Sequence, residues 1–309
     1  MKKQTSNLLF LIATVIWGFA FVAQKAAAVI PAFTVGAVRS LLAVIFLLLI
    51  IPLTDKLTKN GRKLISRDGG IDFNRRELIG GLILGVILTS ASAFQQIGIE
   101  SADAGKTAFI TALYVVIVPI FSAFLGKKPM VTSIISIPIA VVGFYFLCIN
   151  SEASLEIADL LVLVCAVIFA GHIITVDRLS PGCDGFRMSC IQFATAFLLN
   201  SIIALIFETP IALGNIAAQM PSLLFLGVLS SGVAYTLQIV AQKETDPTVS
   251  AVILSLESVF GVIGAAIVLE ERMSPREYLG CGIVFVAVLL SQVDVNAIKN
   301  KLKKQRKDN

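Results

Sequence analysis

Arg39, Lys106, His172 and Glu257 are ionisable side chains of this 309-residue chain that fall inside or at the ends of long apolar runs, where they could do chemistry. A charge placed in hydrocarbon costs about 2.5 kcal/mol or more, so each is expected to face a polar cavity or a partner. Glu257 has two readings, a ligand or proton-coupling carboxylate, and an interhelical hydrogen-bond or ion-pair partner. Arg39 carries the fork that suits a carboxylate, and pairing with Glu257 is the favoured expectation for it. His172 is the sole histidine, and an imidazole, whose ordinary titration lies near neutrality, would suit a proton relay. A lone histidine is more commonly a hydrogen-bonded packing residue.

A second group is polar but uncharged. Trp17, Gln95, Gln96, Thr111, Tyr114, His172, Tyr235, Gln238 and Ser255 form the pool of expected cavity residues. Trp17 lies too deep to anchor at an interface, and a buried indole N–H needs a partner or a cavity. Other chemistries find no support. GxSxG and HExxH are absent, so no catalytic residue is assigned. There is no GxxxxGK[ST] to bind a nucleotide. The single histidine has no acidic or thiol side chain at ligand spacing, so neither a metal nor a cofactor is expected. The five cysteines include no CxxC pair, and four read as small side chains buried in apolar runs.

The elements that position these residues follow from composition. Hydrophobic residues make up 57% of the chain and charged ones 15%, against about 25% charged in soluble domains. Mean hydropathy is +0.90. Apolar runs of membrane-spanning length occupy 7–29, 33–53, 77–98, 104–125, 130–149, 157–178, 186–207, 219–241, 248–269 and 276–294. Prolines and short polar segments separate them. The first run is too long for a secretory leader and reads as a spanning helix. The expected fold is an all-α integral membrane protein of ten transmembrane helices. Twenty of the 25 Lys and Arg residues then fall on one side with both termini, and the positive-inside rule makes that side cytoplasmic. The basic pI near 9.0 therefore reflects loops rather than nucleic-acid binding.

The halves resemble one another. Ala13–Trp17 matches Cys165–Phe169, Leu84-Gly-Val86 matches Leu226-Gly-Val228, and Leu125-Gly-Lys-Lys matches Leu269-Glu-Glu-Arg. On this reading Gln96 pairs with Gln238 and Thr111 with Ser255. The division is 1–150 and 151–298, followed by a basic cytoplasmic tail, 299–309. Five helices per half is an odd number, so the second copy is inverted. Inverted repeats are common in secondary transporters, which bind substrate near the midplane between the halves.

Several stretches carry a family resemblance over essentially the whole chain. They are Trp17-Gly18-Phe19 with Phe21 and Lys25, Arg39 with Ala43, the run Ala104–Pro119, Leu254-Ser-Leu-Glu257-Ser258-Val-Phe260 and Leu269-Glu-Glu-Arg272. The sequence resembles the EamA-type branch of the drug/metabolite transporter superfamily. It departs where proline is usual, at Ser258, and where glycine is usual, at Glu270. The resemblance implies ten helices in two EamA repeats, a central cavity, and metabolite efflux or exchange. Lys25 is expected to snorkel, and Lys106, in the family-like run, either snorkels likewise or faces the outer vestibule. The expected function is secondary transport of small polar or amphipathic metabolites, amino acids among them. Transport would proceed by alternating access across a bacterial inner membrane, as export or exchange. Coupling would be to protons or counter-substrate, and the protein a monomer or homodimer. An uptake permease, an intramembrane enzyme and a membrane sensor are the alternatives.

Overall fold

A computed structural model describes residues 3–58, 74–126, 131–148, 156–243 and 245–291. Most of the polar loop after the second apolar run, the acidic segment around Glu152 and the basic tail 299–309 lie outside the described residues.

Every described element is helical. The first half comprises α1 (Lys3–Ala26), α2 (Ala32–Thr58), α3 (Arg75–Ser101), a rod broken into α4 (Ala104–Thr111) and α5 (Tyr114–Phe124), and α6 (Val131–Cys148). The second comprises α7 (Ile157–Leu179) and α8 (Gly185–Phe207), followed by short α9 (Leu213–Ala218) and α10 (Met220–Leu224). A π-helical stretch, Phe225–Ala234, then leads into α11 (Tyr235–Gln242). A second broken rod, α12 (Pro247–Ser255) and α13 (Glu257–Val268), precedes α14 (Pro275–Ser291). Polar residues set the starts. Asn74 and Glu77 close a capping box on α3, and Asp184 and Asp246 accept backbone N–H groups at the starts of α8 and α12.

Eight of the helical rods are long and apolar enough to cross a membrane: 4–29, 32–55, 75–101, 104–124, 157–179, 185–207, 220–242 and 247–268. Between a third and about 70% of each span is buried in protein, and the rest presents Leu, Ile, Val and Phe outward. The chain is a multi-pass membrane protein. The α6 and α14 helices are shorter in apolar length and pack on each other. Gly143 lets them close, since a Cβ there would stand 2.7 Å from Val284 Cγ2.

The halves interleave rather than abut. The α2 helix packs on α8, α3 on α7 and α8, and α1 on both α13 and the π-helical stretch. Close approach of α1 to α13 depends on Gly18, where any side chain would run into Phe260.

The two broken rods break alike. Leu113 N–H reaches back only to Ile110 O (3.1 Å), and Leu256 N–H only to Ile253 O (3.3 Å). Val116 and Val259 then repeat the short bond, to Leu113 O and Leu256 O, both at 3.0 Å. These tight turns leave carbonyls of the regular helix without their usual donors. In the second half hydroxyls take them: Ser255 Oγ donates to Val252 O (2.7 Å) and Ser258 Oγ to Ser255 O (2.8 Å). Ser258 thus supports the break. Pro119 and Pro138 lie inside α5 and α6, away from these breaks.

Candidate functional site

A cavity lies between the halves. It spans about 470 Å³ when the open space at its mouth is counted. Four of its residues form one face of α1, Trp17, Ala20, Phe21 and Gln24, at the i, i+3, i+4, i+7 spacing of a single helical stripe. Phe169, His172 and Ile173 form the matching stripe on α7. Each lies 152 residues beyond its counterpart Trp17, Ala20 or Phe21.

The register changes along the repeat. Gly85 and Gly227 are 142 residues apart and do the same job. A Cβ on Gly85 would stand 2.5 Å from Thr195 Cβ, and one on Gly227 would stand 2.5 Å from Leu42 Cβ. Beyond them the offset is 143, because the π-helical stretch 225–234 absorbs one extra residue. Gln238 therefore corresponds to Gln95, and both line the cavity, whereas Gln96 does not. This corrects the Gln96–Gln238 pairing. Gln96 instead donates to Gln24 O at 3.2 Å. The break geometry likewise matches Thr111 with Leu254 and Tyr114 with Glu257, all four in the lining. Ser255 is a break-supporting residue and lies outside the lining.

Polar contacts hold this lining in place. Trp17 Nε1 donates to Ser230 O (3.2 Å), and Gln95 Nε2 to Thr111 Oγ1 (3.2 Å). His172 Nε2 lies 3.0 Å from Gln192 Oε1, an acceptor that requires the imidazole to donate. Tyr235 is the hub of the aromatic wall, with ring centroids 4.6 Å from Trp17, 5.9 Å from His172 and 5.6 Å from Phe193. The amide oxygens of Gln24 and Gln238 have no hydrogen-bond partner among the described residues.

Arg39 and Glu257 are the charged members of the lining, and they are not an ion pair. Arg39 Nε donates to Ser231 Oγ (3.1 Å) and Nη2 to Ser230 Oγ (3.2 Å). The π-helical stretch supplies both hydroxyls, and no carboxylate among the described residues joins them. The counterpart of Arg39 is neutral. Gly227 packs on Arg39 O and Leu42 as Gly85 packs on Gln192 O and Thr195, which matches Arg39 with Gln192.

Lys106 and Lys25 serve structure. Lys106 is buried against Asp159, Nζ to Oδ2 2.8 Å, rather than in the cavity lining. Beside it, Glu271 accepts from Ala104 N and Gly105 N, both at 3.1 Å. Lys25 turns back to three carbonyls at the end of α3, those of Ile99, Glu100 and Ala102, instead of snorkelling outward. At the opposite end of the bundle Arg187 grips Asp55 through two hydrogen bonds (3.0 and 2.8 Å), and Glu77 Oε1 accepts from Asp184 N (2.9 Å). Both ends are therefore tied across the halves by charge.

Sequence reasoning missed Ala20, Phe21, Gln24, Phe169, Ile173, Ser230 and Leu254. The first five were legible as helical stripes around Trp17 and His172. Among the described residues no cluster of metal-ligating side chains occurs.

Two like halves interleaved in a membrane around one shared polar cavity are the architecture of a membrane transporter. Comparison with known proteins agrees. The EamA-like transporter family model matches residues 4–149 and 156–292, and the chain belongs to that family. An uncharacterized transporter of Archaeoglobus fulgidus is 30% identical over 216 residues, covering 70% of this chain and 69% of that protein. The fold also matches the crystal structure of a protein at 14% identity, with a TM-score of 0.71 over 96% of this chain and 99% of the other.

Proposed function

We propose that the protein is a secondary active transporter of small polar or amphipathic metabolites, working by alternating access as an exporter or exchanger. The observation that carries this reading is the cavity itself. Both halves line it at matched positions, so rocking one half against the other would turn the same residues toward either side. The charged ties at the two ends, Lys106–Asp159 with Glu271, and Arg187–Asp55 with Glu77, are the contacts that would open in turn. On this reading the halves are 1–150 and 151–298, with α6 and α14 completing ten spans. The second half is inverted, and both termini and the basic tail lie in the cytoplasm of a bacterial inner membrane. Binding falls to Trp17, Gln95, Thr111, Tyr114, His172, Tyr235 and Gln238. Arg39 and Glu257 supply recognition or coupling to protons or counter-substrate.

The experiment is counterflow in proteoliposomes. Vesicles preloaded with a metabolite extract take up labelled members of that extract only if a carrier exchanges them. Uptake above protein-free vesicles, lowered by about an order of magnitude or more in Glu257→Gln, is expected. No uptake or release of any compound would sink the transporter reading.

A further inference from the structure

A smaller pocket lies between α2, α3 and α8. It spans about 250 Å³ when the open space at its mouth is counted, and inside it has room for about one water-sized body. Arg39 belongs to both linings, so this pocket shares a wall with the cavity between the halves. Ser40, Thr89, Ser92 and Asn200 bring three hydroxyls and an amide to it. Gly36 makes the seat of that amide, since a Cβ there would stand 2.5 Å from Asn200 Oδ1. Asn200 Nδ2 donates one N–H to Ala196 O (2.8 Å), and Thr89 Oγ1 donates to Gly85 O (2.7 Å). The second amide N–H of Asn200 and the hydroxyls of Ser40 and Ser92 are donors suited to an occupant.

Charge selects that occupant. Arg39 is 7% exposed, and no carboxylate is among the residues lining the pocket. The hydroxyls of Ser231 and Ser230 take two of the five guanidinium N–H groups and solvate the cation without neutralising it. A buried charge without a counter-charge is strongly destabilising. Elsewhere this chain supplies the counter-charge itself, with Asp159 on Lys106 and Asp55 on Arg187. In the pocket beside Arg39 a second cation would be repelled. A water molecule would fill the space and leave the charge standing. Sulfate or phosphate needs more room than one water-sized body. A monatomic anion satisfies the size, the donors and the sign together.

We infer that the pocket between α2, α3 and α8 binds a chloride-sized monovalent anion as the counter-ion of Arg39. The site is separate from the cavity between the halves, and it stands whether or not the protein is a transporter.

The test is the melting temperature of the full chain in detergent, with sodium gluconate exchanged for sodium chloride at constant ionic strength. Gluconate is too large for the pocket. The melting temperature is expected to rise saturably with chloride, by about 2–4 °C at ten times the midpoint concentration, and bromide should replace chloride. Arg39→Gln should abolish the response. Asn200→Leu, which alters the smaller pocket alone, should raise the midpoint by about tenfold or more. Should either variant fail to fold, Ser92→Ala gives the same reading with a smaller perturbation. Equal melting temperatures in chloride and gluconate would mean a water-filled pocket and overturn the inference. A response retained in Arg39→Gln would be a general salt effect, and a midpoint unchanged in both Asn200→Leu and Ser92→Ala would place the ion elsewhere. Either result overturns the inference as well.

Discussion

Tyr114 and Glu257 hold the same place in the two halves, each the first residue after the break in its rod, and both face one cavity. The phenol of one half stands beside the carboxylate of the other. Glu257 is thus a local departure from the repeat, placed at a turn where the backbone already leaves the regular helix.

Glu257→Gln keeps the shape of the side chain and removes its charge. Transport is expected to fall by an order of magnitude or more, since this residue is the one carboxylate of the lining. If Glu257 carries the coupling proton, flux driven by a fixed substrate gradient also loses its pH dependence. Flux measured between pH 6 and 8 with an unchanged pH profile would rule that coupling out.

Lys106 is the ion-pair partner of Asp159, whose carboxylate has no other partner among the described residues. Lys106→Gln should destabilise the fold by about 3 kcal/mol, the typical cost of orphaning a buried charge. Adding Asp159→Asn should return part of that loss. A double-mutant cycle of thermal stability in detergent measures the coupling, and strictly additive single effects would contradict the buried pair.

Gly18 lets α1 meet α13 at Phe260. Gly18→Val is expected to cost about 1–3 kcal/mol through overpacking and to lower the melting temperature. Gly214, where an added methyl group would meet nothing within 4 Å, provides the control, and Gly214→Ala should be near neutral.

Orientation has its own test. In a cysteine-depleted background, Gly182→Cys, between α7 and α8, should react with a membrane-impermeant maleimide only after the cells are opened. Gly214→Cys, between α8 and α10, should react in intact cells. The reverse pattern would place both termini outside.

The apolar runs by themselves determined the eight spanning elements among the described residues, because each must satisfy its own backbone in lipid and so becomes a helix wherever it lies. The repeat was legible too, since matched segments kept their order. What tertiary structure decided was register and pairing. A single extra residue wound into the π-helical stretch moves the partner of Gln238 from Gln96 to Gln95, a shift of one position that no hydropathy pattern marks. The breaks at Leu113 and Leu256 sit at neither proline nor glycine. Arg39 and Glu257 read from the sequence as natural partners, since both are ions in apolar runs. Only packing could show them apart, because whether two buried charges meet depends on which faces of α2 and α13 the bundle turns toward each other.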